Sequence, residues 1–293
     1  AERLGVGYDD VREYNSEVIY CSLSGYGQEG PYEERVGHDL NYVGFAGLLD
    51  MTRESEDEKP AVPGYPIADM SGGVFAALSI VSALLSRELG EDDDGERGEY
   101  IDVSMTDTTL SLSQAVTNLV FADSGDEPRP GETPLTGEFP WYDIYETKDG
   151  RYVTLAALEP KFWQEFCDAV GRDDLAGYHM TTDEDEIEEL RDELNELFKG
   201  KTRDEWEDEL GDKEVMFGVV NTPAEAVENE QIRERGIVRD DGSIPRVGLP
   251  LRTSEEPQNE GGVADRGEHT RELLRGCGYS DDEVDELEEK GVV

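Results

Sequence analysis

Three short stretches combine a titratable side chain with little local charge. The first, Gly37-His38-Asp39-Leu40-Asn41-Tyr42, carries a histidine in a loop-like setting. An imidazole titrates near neutral pH, so it can take or return a proton at working pH. The same ring can also simply satisfy loop carbonyls. The second, Ala68-Asp69-Met70-Ser71-Gly72-Gly73, stands directly before a long apolar run. Asp69 reads there as a helix N-cap. It also reads as a carboxyl beside glycines that let a ligand approach the backbone, at a helix start able to stabilise developing negative charge. The third, Leu155-Ala156-Ala157-Leu158-Glu159-Pro160, ends a β-rich run. Its Glu159 is either a capping or solvated carboxylate, or an acid held for chemistry.

Other chemistries lack their motifs. There is no phosphate-binding P-loop, no GxGxxG after a strand, no GxSxG and no HExxH. Cys21, Cys167 and Cys277 are far apart without a CxxC, which excludes a disulfide framework or a zinc ribbon, and each reads as a small buried hydrophobe. His38, His179 and His269 show no metal-ligand spacing, so no metal is expected.

The elements that must position these residues alternate between β and α. Residues 1–15 read as a helix end and connector, 17–22 as a strand, and Gly25-Tyr26-Gly27 as a turn. Residues 39–49 read as a short helix. Residues 54–59 and 91–98 form charged turns, and 71–89 a helix buried on most sides with Gly90 as C-cap. A strand at 100–105 and an apolar helix at 108–122 follow. The Gly-, Pro- and Thr-rich stretch 124–140 is a linker. Runs 141–147 and 151–157 flank Lys148-Asp149-Gly150 as a hairpin. Helices are expected at 160–170, 183–198 and 202–210, a strand at 215–220, and a helix at 223–229 capped by Thr222. Residues 240–266 are loop-like, and two short helices surround Gly276-Cys277-Gly278. The pattern is α/β with two domains.

Composition bounds the partners. The chain has 293 residues, 26 Lys+Arg and 72 Asp+Glu, a net charge of −46, with 7 Lys against 19 Arg. Such a balance argues against nucleic acid, which needs a basic face, and against an anionic membrane surface. The longest apolar stretch, 74–85, is short of the ~20 residues a membrane span needs. No signal segment opens the chain, so a cytoplasmic location is expected. Acids spread over the whole chain read as the surface of a protein that works in molar salt.

In order, SLSGYGQEGPY (22–32), GHDLNY (37–42), PIADMSGG (66–73), RGEYIDVSM (97–105), WYDIYETKDGRYVTLAALEPKFW (141–163) and GEHTRELLRGCGYS (267–280) resemble the class III CoA-transferase family of CaiB/BaiF type, within it the racemase branch. The resemblance covers nearly the whole chain. It implies a Rossmann-like large domain, residues 1–125 with 250–293 returning to it, and a small α/β domain, 141–235. Linkers at 126–140 and 236–249 join them, and two chains form an interlocked homodimer. The family's opening βαβ stretch, part of the CoA pocket, would precede Ala1, so the large domain is expected to be N-terminally truncated.

The resemblance also implies roles. His38 matches the racemase base, Asp69 the acid/base opposite it, and Glu159 the acid that pairs with the histidine. Gly37, His38, Asp39, Leu40, Asn41 and Tyr42 match the segment lining the acyl-CoA site. The reaction implied is inversion of the α-carbon of a 2-methylacyl-CoA thioester, with one base on each face and an enolate between. The helix amides at Asp69 would hold the enolate oxygen. No cofactor is expected beyond the acyl-CoA substrate. Two alternatives stand beside it. A CoA-transferase would use Asp69 as a nucleophile, through an acyl-aspartyl anhydride and then a CoA thioester. A truncated remnant would only bind a partner subunit.

Overall fold

The computed structural model describes residues 1–53, 55, 57–90, 98–122, 127–239, 244–254 and 264–293. The expected acidic turn at 91–98 lies almost wholly outside them. So do parts of the 54–59 turn, the 126–140 and 236–249 linkers and the 240–266 loop. The described chain is mixed α/β and divides into two compact units, Ala1–Val219 and Val220–Val293.

The first unit opens with α1 (Tyr8–Tyr14) and β1 (Ile19–Ser24). Next come α2 (Asp39–Phe45), α3 (Ile67–Leu89) and β2 (Glu99–Ser104). β1 and β2 pair in parallel, Ile19 opposite Glu99 through Ser24 opposite Ser104. A parallel pair needs a long crossover, and α2 and α3 supply it, with α3 packed on both strands. α4 (Met105–Leu112) and α5 (Gln114–Thr117) replace the single helix expected at 108–122. The break falls at Ser113, whose hydroxyl donates to the Leu110 carbonyl (2.8 Å) and meets Thr117 Oγ1 (2.6 Å). Hydroxyls bonded this way compete with the helix ladder.

α3 departs furthest from expectation. It forms, but only Ala68, Ser71, Gly72 and Ala83 are buried. Val74, Leu78 and Leu89 are 67%, 57% and 73% exposed, so one apolar face has no covering layer in the single chain. At 23 residues it is also long and apolar enough to cross a membrane, which the shorter stretch counted in the sequence was not.

A second core of the same unit lies in β3 (Tyr142–Glu146), β4 (Tyr152–Ala156), α6 (Pro160–Val170), α7 (Glu184–Phe198), α8 (Arg203–Leu210) and β5 (Phe217–Val219). The three strands form an antiparallel sheet in the order β3-β4-β5. The hairpin turns at Thr147–Arg151, closed by the Thr147 amide on the Arg151 carbonyl (2.8 Å), with Gly150 at φ 72°. α7 places Leu190, Leu194 and Phe198 on one buried stripe, as its 3.6-residue period requires. Trp141, Trp163, Phe166 and Trp206 fill the rest. His179 belongs here too. Its ring lies 4.9 Å from that of Trp141 and donates to the Ala157 carbonyl (3.1 Å), and burial lowers its pKa.

In the second unit, α9 (Pro223–Glu228) begins at the expected Thr222 cap, with Glu225 reaching back to the Thr222 amide (2.8 Å). α10 (Glu230–Glu234), the short antiparallel strands β6 (Val238–Arg239) and β7 (Arg246–Val247), α11 (Thr270–Gly276) and α12 (Asp281–Glu289) follow. Of the three cysteines, Cys167 is buried and its pKa is pushed up to about 12, mainly by that burial. Cys277 is exposed, against expectation, because the α11–α12 corner buries little.

Candidate active site

β1 ends in a turn that brings Tyr26 and Gly25 beside Tyr42 of α2. The Tyr26 and Tyr42 rings meet edge-on at 5.2 Å. A Cβ on Gly25 would fall 2.3 Å from the Tyr42 ring, so only glycine admits this approach. Tyr42 Oη donates to the Gly37 carbonyl (2.5 Å) and fixes the chain entering α2. Tyr42, Val43 and Ala68 form a small buried cluster, with Met105 and Ile67 packed on it.

His38 is the N-cap residue of α2, and its own amide donates to Asn41 Oδ1 (3.0 Å). The imidazole is exposed and makes no hydrogen bond among the described residues, so it is not spent on loop carbonyls.

Asp69 lies in the first turn of α3, and the N-cap position is held by Pro66. The capping carboxylate comes from elsewhere in the chain. Asp39, at the start of α2, accepts the Ala68 amide (3.2 Å) and the Asp69 amide. Burial raises the pKa of Asp39, and the neighbouring Asp69 charge raises it further. The Asp69 side chain is exposed and free of a capping duty. Because Asp39 already occupies the Ala68 and Asp69 amides, those two groups are not donors for an enolate oxygen, contrary to the expectation from a helix start. Gly72 has a packing role, since a Cβ there would meet Met105 Cγ at 2.7 Å and Leu23 Cδ1 at 3.0 Å. Gly73 is the glycine with open space before it.

The two helix starts are therefore joined. Asp39 adjoins His38 in sequence and accepts the backbone amides of Ala68 and Asp69, so the start of α2 is tied to the start of α3. Leu40 and Asn41 stand exposed on the same α2 turn, and Gly37 and Tyr42 form its floor. Glu159 is the N-cap residue of α6, exposed, with no side-chain cap bond. Among the described residues no hydrogen bond or ion pair joins it to His38 within one chain.

Asp39 is the residue whose role the sequence does not announce. Its partner is 29 positions away, and no local motif marks such a cap. Asp39→Ala is expected to cost about 0.5–2 kcal/mol, the usual loss on removing a cap. It is also expected to lower turnover by up to ~10²-fold through displacement of Asp69. Asp39→Asn keeps one acceptor oxygen and should recover much of both, as measured by urea melts beside α-proton exchange.

Comparison with known proteins places the chain in a family. The model of CoA-transferase family III matches residues 1–270. α-Methylacyl-CoA racemase of Mus musculus is 30% identical over 298 residues, covering 100% of this chain and 76% of that protein. Succinyl-CoA:mesaconate CoA-transferase of Haloarcula hispanica is 29% identical over 94% of this chain and 71% of its own length. The crystal structure of a CaiB/BaiF family protein from Brucella suis superposes with a TM-score of 0.78 at 26% identity, over 94% of this chain and 72% of that one. The family match and these relatives thus define an enzyme class that holds both racemases and CoA-transferases. This chain belongs to CoA-transferase family III.

Proposed function

We propose that the chain inverts the α-carbon of 2-methylacyl-CoA thioesters. The observation that carries this reading is the bonding of Asp39, the residue after His38, to the amides of Ala68 and Asp69, which ties the helix start at His38 to the one at Asp69. A thioester weakly acidifies its α-hydrogen. In one direction His38 takes that proton from one face, the C–H pair passes into the enolate, and neutral Asp69 returns a proton to the other face. In the reverse direction the two exchange roles. The racemase named above supports the substrate class. No group beyond the acyl-CoA is asked for.

An interlocked homodimer completes the reading. The uncovered face of α3 is apolar enough to need a protein wall, and Glu159 of the partner subunit would orient the His38 imidazole and favour its protonated form. The division into a large domain, residues 1–125 and 250–293, and a small one, 141–235, and a cytoplasmic location belong to the same proposal.

A second reading rests on Asp69 alone. An exposed carboxylate at a helix start suits a nucleophile that forms an acyl anhydride and then a CoA thioester, and a relative named as a CoA-transferase is nearly as similar. Incubation with a chiral 2-methylacyl-CoA in D2O separates the two. Deuterium entering the α-position with loss of optical purity is the expected result. CoA moving to an added carboxylate without exchange selects the transferase, and neither event overturns both.

A further inference from the structure

The second unit, Val220–Val293, contains a cavity of about 320 Å3 lined by three arginines. Arg235 follows α10, Arg239 ends β6, and Arg252 lies in the segment after β7. Ile232, Ile237 and Leu249 line the same space. The volume is within the ~300–1,000 Å3 typical of small-molecule sites.

The pairing of these arginines is unusual for this chain. Acids outnumber bases 72 to 26, so the default for an arginine here is an ion pair. Arg233, between the lining residues Ile232 and Arg235, pairs with Glu228 (2.5 Å), and Arg271 spans Asp285 and Glu288. Among the described residues, the side chains of Arg235, Arg239 and Arg252 make no hydrogen bond and no ion pair.

Arg239 is also held in place by local backbone. A Cβ on Gly248 would stand 2.7 Å from Arg239 Nε and 3.1 Å from its Cδ. The stem of the side chain therefore lies across bare main chain. That strip is fixed by the β6–β7 pairing and by the Gly248 amide donating to the Ile237 carbonyl (2.7 Å).

Three like charges around one space repel, and no carboxylate among the described residues offsets them. A multiply charged anion with several acceptor oxygens would. Guanidinium forks match phosphate oxygens two at a time. The apolar side chains cover what such an anion is attached to. We infer that this cavity binds the phosphate end of a nucleotide-type ester, with Arg235, Arg239 and Arg252 on the phosphate oxygens and the aliphatic wall against the nucleoside. Direct contacts matter more than long-range attraction, since the net charge of −46 repels anions at a distance and salt screens that field within ~3 Å at 1 M.

The phosphate has two possible sources, the nucleotide end of a CoA thioester or a separate nucleotide. The test is equilibrium dialysis of the intact protein with adenosine 3′,5′-bisphosphate, beside adenosine. Saturable binding at least tenfold tighter than that of adenosine is expected. The double variant Arg239→Gln/Arg252→Gln should weaken it tenfold or more at an unchanged melting temperature, and Arg233→Gln should leave it intact. Gly248→Ala should weaken it by pushing Arg239 aside. No saturable binding, or equal binding by the double variant, overturns the site. Displacement of the bound bisphosphate by CoA assigns the phosphate to the substrate, and its persistence under excess CoA assigns it to a separate nucleotide. The readout is binding, so it stands or falls independently of the racemase reading.

Discussion

Replacing His38 by alanine is expected to reduce inversion of a 2-methylacyl-CoA by about 10²–10⁴-fold, the usual contribution of a positioned acid or base. Asp69→Asn should do the same. The two variants should differ in which hydrogen they still exchange. Without His38, Asp69 can deprotonate only the enantiomer whose hydrogen faces it, and it returns solvent deuterium to the same side. Without Asp69, the other enantiomer exchanges. Complementary, single-enantiomer exchange in D2O is therefore the signature of one base per face. Stability should barely move, because the His38 ring is exposed and makes no bond among the described residues, and Asp69 is exposed and caps nothing. Unchanged exchange of both enantiomers in either variant removes that residue from the mechanism. In a transferase, His38→Ala would leave CoA transfer largely intact while Asp69→Asn would abolish it, so the same pair of variants also separates the two chemistries.

The parts of the fold that depend on local signals were legible in the sequence. Pro160 opens α6, Thr222 caps α9, Asp149-Gly150 turns the hairpin, and the Leu190–Leu194–Phe198 stripe gives α7 its buried face. Each signal sits within a few residues of its effect. The quoted motifs carried the family for the same reason, being short and contiguous. The Asp39 bridge was not legible, because a carboxylate that caps a helix 29 positions later leaves no periodicity or spacing. The exposure of α3 was not legible either. A dense apolar run states that a surface must be covered, but not by what, and here β1, β2 and α4 cover one side only. The Ser113 break escaped because serine is tolerated within helices and its hydroxyl bonds form only once neighbouring turns exist.

Raising KCl from 0.1 M to 3 M is expected to raise the melting temperature by roughly 5–15 °C, and the reason lies in the helices rather than in the net charge alone. α7 carries eight acids against Arg191. Five pairs of them are spaced i,i+4, among them Glu184 with Glu188 and Glu188 with Asp192. α12 adds three more such pairs, Asp281 with Asp285, Asp282 with Glu286, and Asp285 with Glu289. Like charges at this spacing cost about 0.2–0.5 kcal/mol per pair, so the two helices together forgo about 2–4 kcal/mol in dilute buffer. Screening shortens from ~10 Å at 0.1 M salt to ~3 Å at 1 M, which is inside the spacing of such pairs. At ~2–4 °C per kcal/mol for a chain of this size, the recovered energy gives the stated range. Glu188→Lys tests the cause. It turns two repulsive pairs into attractive ones on an exposed face, so it should stabilise by about 1–2 kcal/mol in low salt and by little in 3 M KCl. If wild-type melting is the same at both salt concentrations, or if Glu188→Lys gains as much in high salt as in low, repulsion between these carboxylates is not what limits the fold.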